Sequence, residues 1–208
     1  FLLLIIEVTN LQKRTLDIKK NKYMPTHAEL NPNTRLIDNR FAAQVAENAA
    51  LQKYVAEQGL SWANDEEFVK SVLDIILASD LYNEYLDNEN DSYETDKEFW
   101  RCVFKKLICG NEVIEDFLED KSIYWNDDIE IVETFTLKTI KKFEEKNGSK
   151  QELLPMFKDL EDHSFAIKLF RQTLLKGAEY RERINNHMKN WETERIANMD
   201  LIIMQVAL

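Results

Sequence analysis

Asn190-Trp191-Glu192-Thr193-Glu194-Arg195-Ile196-Ala197-Asn198-Met199-Asp200-Leu201-Ile202-Ile203-Met204-Gln205-Val206-Ala207-Leu208 is the stretch on which the fold reading turns. A Trp opens it and acids fill the first turn, where the positive end of a helix dipole favours them. Ile196, Met199, Ile203 and Val206 then recur at helical spacing, which predicts a mostly buried helix. The same theme occurs twice upstream. Trp62-Ala63-Asn64-Asp65 precedes Phe68, Val69, Val72, Leu73 and Ile76, and Trp125-Asn126-Asp127-Asp128 precedes Ile131, Val132, Phe135 and Ile140.

Working outward, the helices before each Trp repeat as well. Phe41, Val45, Leu51 and Val55 are matched without a gap by Phe104, Ile108, Ile114 and Leu118, 63 residues on, the distance that also separates Trp62 from Trp125. At a spacing of 66, Phe99, Phe104, Ile108, Leu118 and Trp125 fall on Phe165, Phe170, Leu174, Ile184 and Trp191. A constant period of this length is the mark of a duplicated helical module. The three tryptophans, each beside an apolar helix start, read as core plugs rather than as platforms for bases.

Only 4 Gly and 3 Pro punctuate 208 residues. That is too few for the turns of a sandwich or barrel, so the fold class is all-α, a helical bundle of about three similar units. Residues 1–33 form a first helix and a connector marked by Pro25 and Pro32. Residues 34–152 hold two repeat units, with a helix closed by Gly59 and another stopped at Asn147-Gly148. Residues 153–208, after the Pro155 connector, hold the third. In the first helix Leu3, Ile6 and Leu11 are read as inner positions, and Asn64 as the cap of the helix after Trp62. Both ends begin and stop in full apolar stride, as in a segment of a longer chain.

Phe1-Leu2-Leu3-Leu4-Ile5-Ile6 has no basic leader and is far short of a membrane span. Cys102 and Cys109 lie two helical turns apart, too far for a disulfide, and read as small apolar residues of a reducing, cytoplasmic compartment. The histidines are scattered, with no ligand spacing, and no Gly-rich phosphate loop or nucleophile elbow occurs. The expectation is no enzyme, no cofactor, no metal and no small-molecule substrate. A net charge of −11 disfavours nucleic acid as a partner, yet it is uneven: acids dominate 65–98, while Lys138, Lys141 and Lys142, and later Lys168, Arg171, Arg181, Arg183 and Lys189, carry a local positive excess.

The run from Phe165 through Leu169, Leu174, Gly177 and Ile184 to Asn190-Trp191, Arg195-Ile196, Met199-Asp200 and Ile202 to Leu208 resembles the core of the NusB family of all-helical transcription antitermination factors. The resemblance implies a protein that binds box A RNA together with a small-subunit ribosomal protein, within the transcription elongation complex. It implies a partner contact for Asp200, which matches the family's acidic position. Gln205 stands where the family usually has Arg. The family's arginine-rich first helix would lie upstream of Phe1, and its late Asn-Gly motif beyond Leu208. Of the cations left here, Lys168 and Arg171, one helical turn apart, are the candidate RNA contacts. The alternative reading is an acidic helical-repeat scaffold that binds proteins and not RNA.

Overall fold

The computed structural model describes residues 1–155, 159–188 and 196–208. The described residues are all-α, with no strand among them: α1 (Leu2–Lys20), α2 (His27–Leu30), α3 (Arg40–Glu47), α4 (Ala49–Gln58), α5 (Glu66–Leu77), α6 (Asp80–Asp87), α7 (Tyr93–Val103), α8 (Glu112–Lys121), α9 (Trp125–Lys142), α10 (Leu160–Leu175), α11 (Gly177–His187) and α12 (Asn198–Ala207). The helices group into two compact units, Phe1–Leu154 and Pro155–Leu208.

In the first unit, α1 lies against α3 and α5, α3 packs on α7, and α7 and α8 pack on α9. Helix α1 buries Leu4, Ile5, Val8 and Gln12, one step round from the Leu3, Ile6 and Leu11 stripe that spacing favoured. The run is apolar on more than one side, so its neighbours choose the buried face. Phe41 meets Phe143 edge-on at 5.3 Å, and Phe104 meets Phe1 at 4.9 Å. Such edge contacts suit the ring quadrupole.

Short polar side chains set the helix boundaries. The helix read from Thr34 to about Gln58, with a kink or break along the way left open, is broken at Asn48, whose side chain accepts from Leu51 N at 2.9 Å and so caps α4. Its amide also donates to Gln151 O at 2.7 Å, satisfying the buried group. Asn111 caps α8 in the same way, accepting from Val113 N at 3.1 Å. Asn48 and Asn111 are separated by the repeat distance, and α4 and α8 are both ten residues long. Gly59 ends α4 at φ 62°, the left-handed conformation a glycine takes without strain. Asn64 does not cap α5; Asp65 holds that place without a side-chain cap bond.

One buried carboxylate joins three helices. Asp96 on α7 accepts from Tyr85 Oη of α6 at 2.7 Å and from Arg40 N, at the start of α3, at 2.8 Å. Asn39, the cap of α3, donates to Tyr85 Oη at 3.0 Å and to Asp96 O at 3.3 Å. Arg35 covers the Tyr85 ring at 4.5 Å and donates to the carbonyls of Leu86, Asn88 and Asn90, holding the α6–α7 connection. Asp96→Ala takes the strongest partner from the Tyr85 phenol, which keeps Asn39 and the Arg35 carbonyl, and orphans the Arg40 N–H, and should cost about 2–3 kcal/mol in urea unfolding followed by tryptophan fluorescence. Asn48→Ala should cost more than Asn111→Ala, which loses only a partly exposed cap worth ~1 kcal/mol.

Candidate nucleic-acid interface

Helix α10 carries the two cations singled out by charge. Asp159 starts it by accepting from Asp162 N at 2.8 Å, and Glu161 and Asp162 add negative charge to the first turn. Lys168 and Arg171 follow near the middle, both exposed and one turn apart, beside a shallow groove lined also by Ser164, Ile167 and Gln172. Among the described residues neither has a carboxylate at ion-pair distance. Arg183, on α11, is by contrast paired with Glu179 at 2.6 Å. Two unpaired cations at this spacing can hold anionic oxygens on one side of a helix.

Asp200 lies in the first turn of α12 and is exposed. There it complements the dipole of a helix whose cap, Ala197, offers no side-chain acceptor. It belongs to a different helix from the α10 pair. Gln205 is buried, and its amide donates to Gly177 O at 3.3 Å, fastening α12 to the start of α11. That position is therefore structural in this chain. Lys189, Trp191, Arg195 and the rest of 189–195, including the third tryptophan of the repeat, lie outside the described residues.

Several inner positions read from spacing are exposed. Phe165, Phe170 and Leu174 are 64%, 66% and 66% exposed, whereas Phe41 and Phe104, which correspond to Phe170 in the earlier repeats, are 0% and 1%. On α12, Met199, Ile203 and Val206 are exposed, and Leu201 and Gln205 turn inward instead. The reason is a missing layer. Three helices bury only the sides that face each other, and α10 and α12 each carry a second apolar stripe. In the first unit α1 supplies that layer over α3 and α5.

Trp62 and Trp125 are half-buried against the core, as plugs should be. Trp62 stacks on Phe68 at 5.2 Å and Trp125 meets Phe1 at 6.0 Å. Both thiols are free and half-buried. Burial, with Glu133 nearby, pushes the Cys109 thiol up to about 12. No group of His, Cys, Asp and Glu among the described residues is arranged to hold a metal ion, and no helix among them is long and apolar enough to cross a membrane. Asp96, counted by composition as one more acid of a solvated run, is the most structured carboxylate of the first unit. The signal was its helical spacing to Phe99, Trp100 and Val103, which are buried beside it.

Charge divides along the same line as the fold. Acidic and basic residues are equal in number from Pro155 onward, so the entire net charge of −11 falls on the residues up to Leu154. The unit that carries Lys168, Arg171 and Asp200 is electroneutral.

No family model matches the chain, and neither a curated protein nor a solved structure does. The open third repeat makes a direct prediction. Phe104→Ala should destabilise the protein by about 3–5 kcal/mol, because it empties a filled core site. Phe170→Ala, at the matching but exposed position, should stay within about 0.5 kcal/mol. Equal losses in thermal unfolding would mean that the α10 face is covered.

Proposed function

We propose that the protein is a NusB-like RNA-binding adaptor without turnover, acting in transcription antitermination or termination on box A RNA with a small-subunit ribosomal protein. The observation that carries this reading is the pair of exposed cations Lys168 and Arg171 on α10, without ion-pair partners among the described residues and within the stretch that resembles the family core. The pair sits in an electroneutral unit, so the acidity of the whole chain is not an objection to phosphate binding there. Asp200, exposed at the start of α12, is the proposed contact for the protein partner.

A second reading, a protein-interaction scaffold that does not bind RNA, is favoured by a different observation. The acidic first unit and the uncovered apolar stripes of α10 and α12 both suit protein partners. Salt separates the two readings. Box A RNA should bind more weakly as salt rises, and more tightly when the ribosomal protein is present. Lys168→Gln with Arg171→Gln should lower the slope of log K against log salt by about 1.4, two phosphates at ~0.7 each on a single strand. Asp200→Asn should reduce the partner's enhancement and leave binding of RNA alone unchanged. Absence of RNA binding with and without the partner would establish the scaffold instead.

A further inference from the structure

Helix α9 has a second apolar face that the core does not use. Its buried side is Ile129, Thr136, Thr139 and Ile140, and Thr136 and Thr139 turn their hydroxyls back to the carbonyls of Val132 and Phe135. Ile131 and Phe135, which spacing assigned to the core, are instead 58% and 43% exposed. They lie on one stripe with Lys138 and Lys142, at intervals of four, three and four residues, and Lys141 flanks it. The stripe from Ile131 to Lys142 is ~16 Å long at 1.5 Å per residue.

The charges on this stripe run against those of the unit around it. The Lys138 ammonium stands 5.5 Å from the Phe135 ring centroid. Lys138, Lys141 and Lys142 are exposed, and none has an ion-pair partner among the described residues. The residue one turn before Lys138 on the same side, Thr134, is exposed and neutral. Lysines in a last turn complement the helix dipole, which accounts for Lys141 and Lys142 but not for an exposed ring and Ile131 above them. An exposed aromatic face followed by a row of cations without carboxylate partners is the combination by which proteins hold single strands, the ring stacking on a base and the ammoniums following the phosphates.

We infer that the α9 stripe of Phe135, Lys138, Lys141 and Lys142 is a second contact site for single-stranded RNA, upstream of the stretch from Phe165 that resembles the family core. The inference rests on the RNA-binding reading of α10 and extends it to another helix. Phe135 supplies the stacking surface, and the three lysines supply charge without base selection. The site therefore adds affinity for any unpaired strand and discriminates against duplex, whose bases cannot reach the ring.

The test is fluorescence anisotropy of the full chain with a labelled single-stranded RNA of about 12 nucleotides, and with the same RNA annealed to its complement. Lys138→Gln, Lys141→Gln and Lys142→Gln together should weaken single-strand binding at least fivefold and lower the salt slope by about 2. Phe135→Ala should weaken it on the order of tenfold, with Phe135→Trp restoring it, and neither should change duplex binding. Because all four side chains are exposed, the thermal midpoint should stay where it is. Wild-type affinity in the α9 variants, with loss only in Lys168→Gln/Arg171→Gln, overturns this inference and leaves the α10 reading standing. Self-association that disappears in Phe135→Ala while RNA affinity is kept overturns it too, by giving the stripe to a protein contact. No RNA binding by the wild type overturns both.

Discussion

The first unit depends on a carboxylate that water does not reach. Asp96 accepts from a phenol on α6 and from the first backbone N–H of α3, while itself belonging to α7. A buried carboxylate is tolerable only when its oxygens are met by donors, and here each oxygen has one. The geometry fixes where α3 begins relative to α7, so Phe41 is carried into the space between Tyr93 and Phe143. Arg35, stacked over Tyr85 and bonded to three carbonyls of the following loop, extends the junction to the α6–α7 connection. Burial of the phenol and its bond to Asp96 push the Tyr85 hydroxyl well above its ordinary range.

The same Phe recurs in the sequence at near-constant spacing, with different surroundings at each occurrence. In the first two rounds the Phe of the leading helix is closed over by neighbours, α1 among them. In the third it is open. The difference lies in the layers available and not in the residues, since Phe41, Phe104 and Phe170 are the same side chain at the same place in the repeat. A helix with apolar residues on two sides needs cover on both, and among the described residues α10 and α12 are covered on one side at most.

This also marks how far sequence carried. The helices and the break at Gly59 were legible, because glycine and spacing act locally, whereas α9 ends at Lys142, ahead of the expected stop at Asn147-Gly148, which falls within a short 3-10 helix over Glu145–Lys150. A break between Thr34 and Gln58 was left open by the sequence, and its place at Asn48 follows from the same local chemistry, a side chain that caps the next helix. Which stripe turns inward was legible in α5, where Phe68, Val69, Val72, Leu73 and Ile76 are all buried as spacing placed them, and less so where a helix is apolar on more than one side. In α9 Ile140 is buried as spacing placed it, while Ile131 and Phe135 are exposed and Ile129 is buried on the side that α7 and α8 approach. Of the candidate site, the pairing of Lys168 with Arg171 on one exposed side of a helix was legible, since residues three apart share a face. Their neutral surroundings follow from summing charge beyond the Pro155 connector, since the −11 of the whole chain is carried by the residues up to Leu154.

The described residues form an acidic, well-packed helical unit and a neutral one with unpaired cations and open apolar faces. RNA contact confined to a few unpaired cations is the claim on which the functional reading stands. Photocrosslinking of the full chain to a 4-thiouridine-substituted box A RNA, followed by mass spectrometry of the adducts, tests it most directly. Adducts on peptides spanning Lys168 and Arg171 of α10 are the predicted result. Adducts restricted to the acidic α6–α7 surface, or none above those formed with an unrelated acidic helical protein, would contradict it.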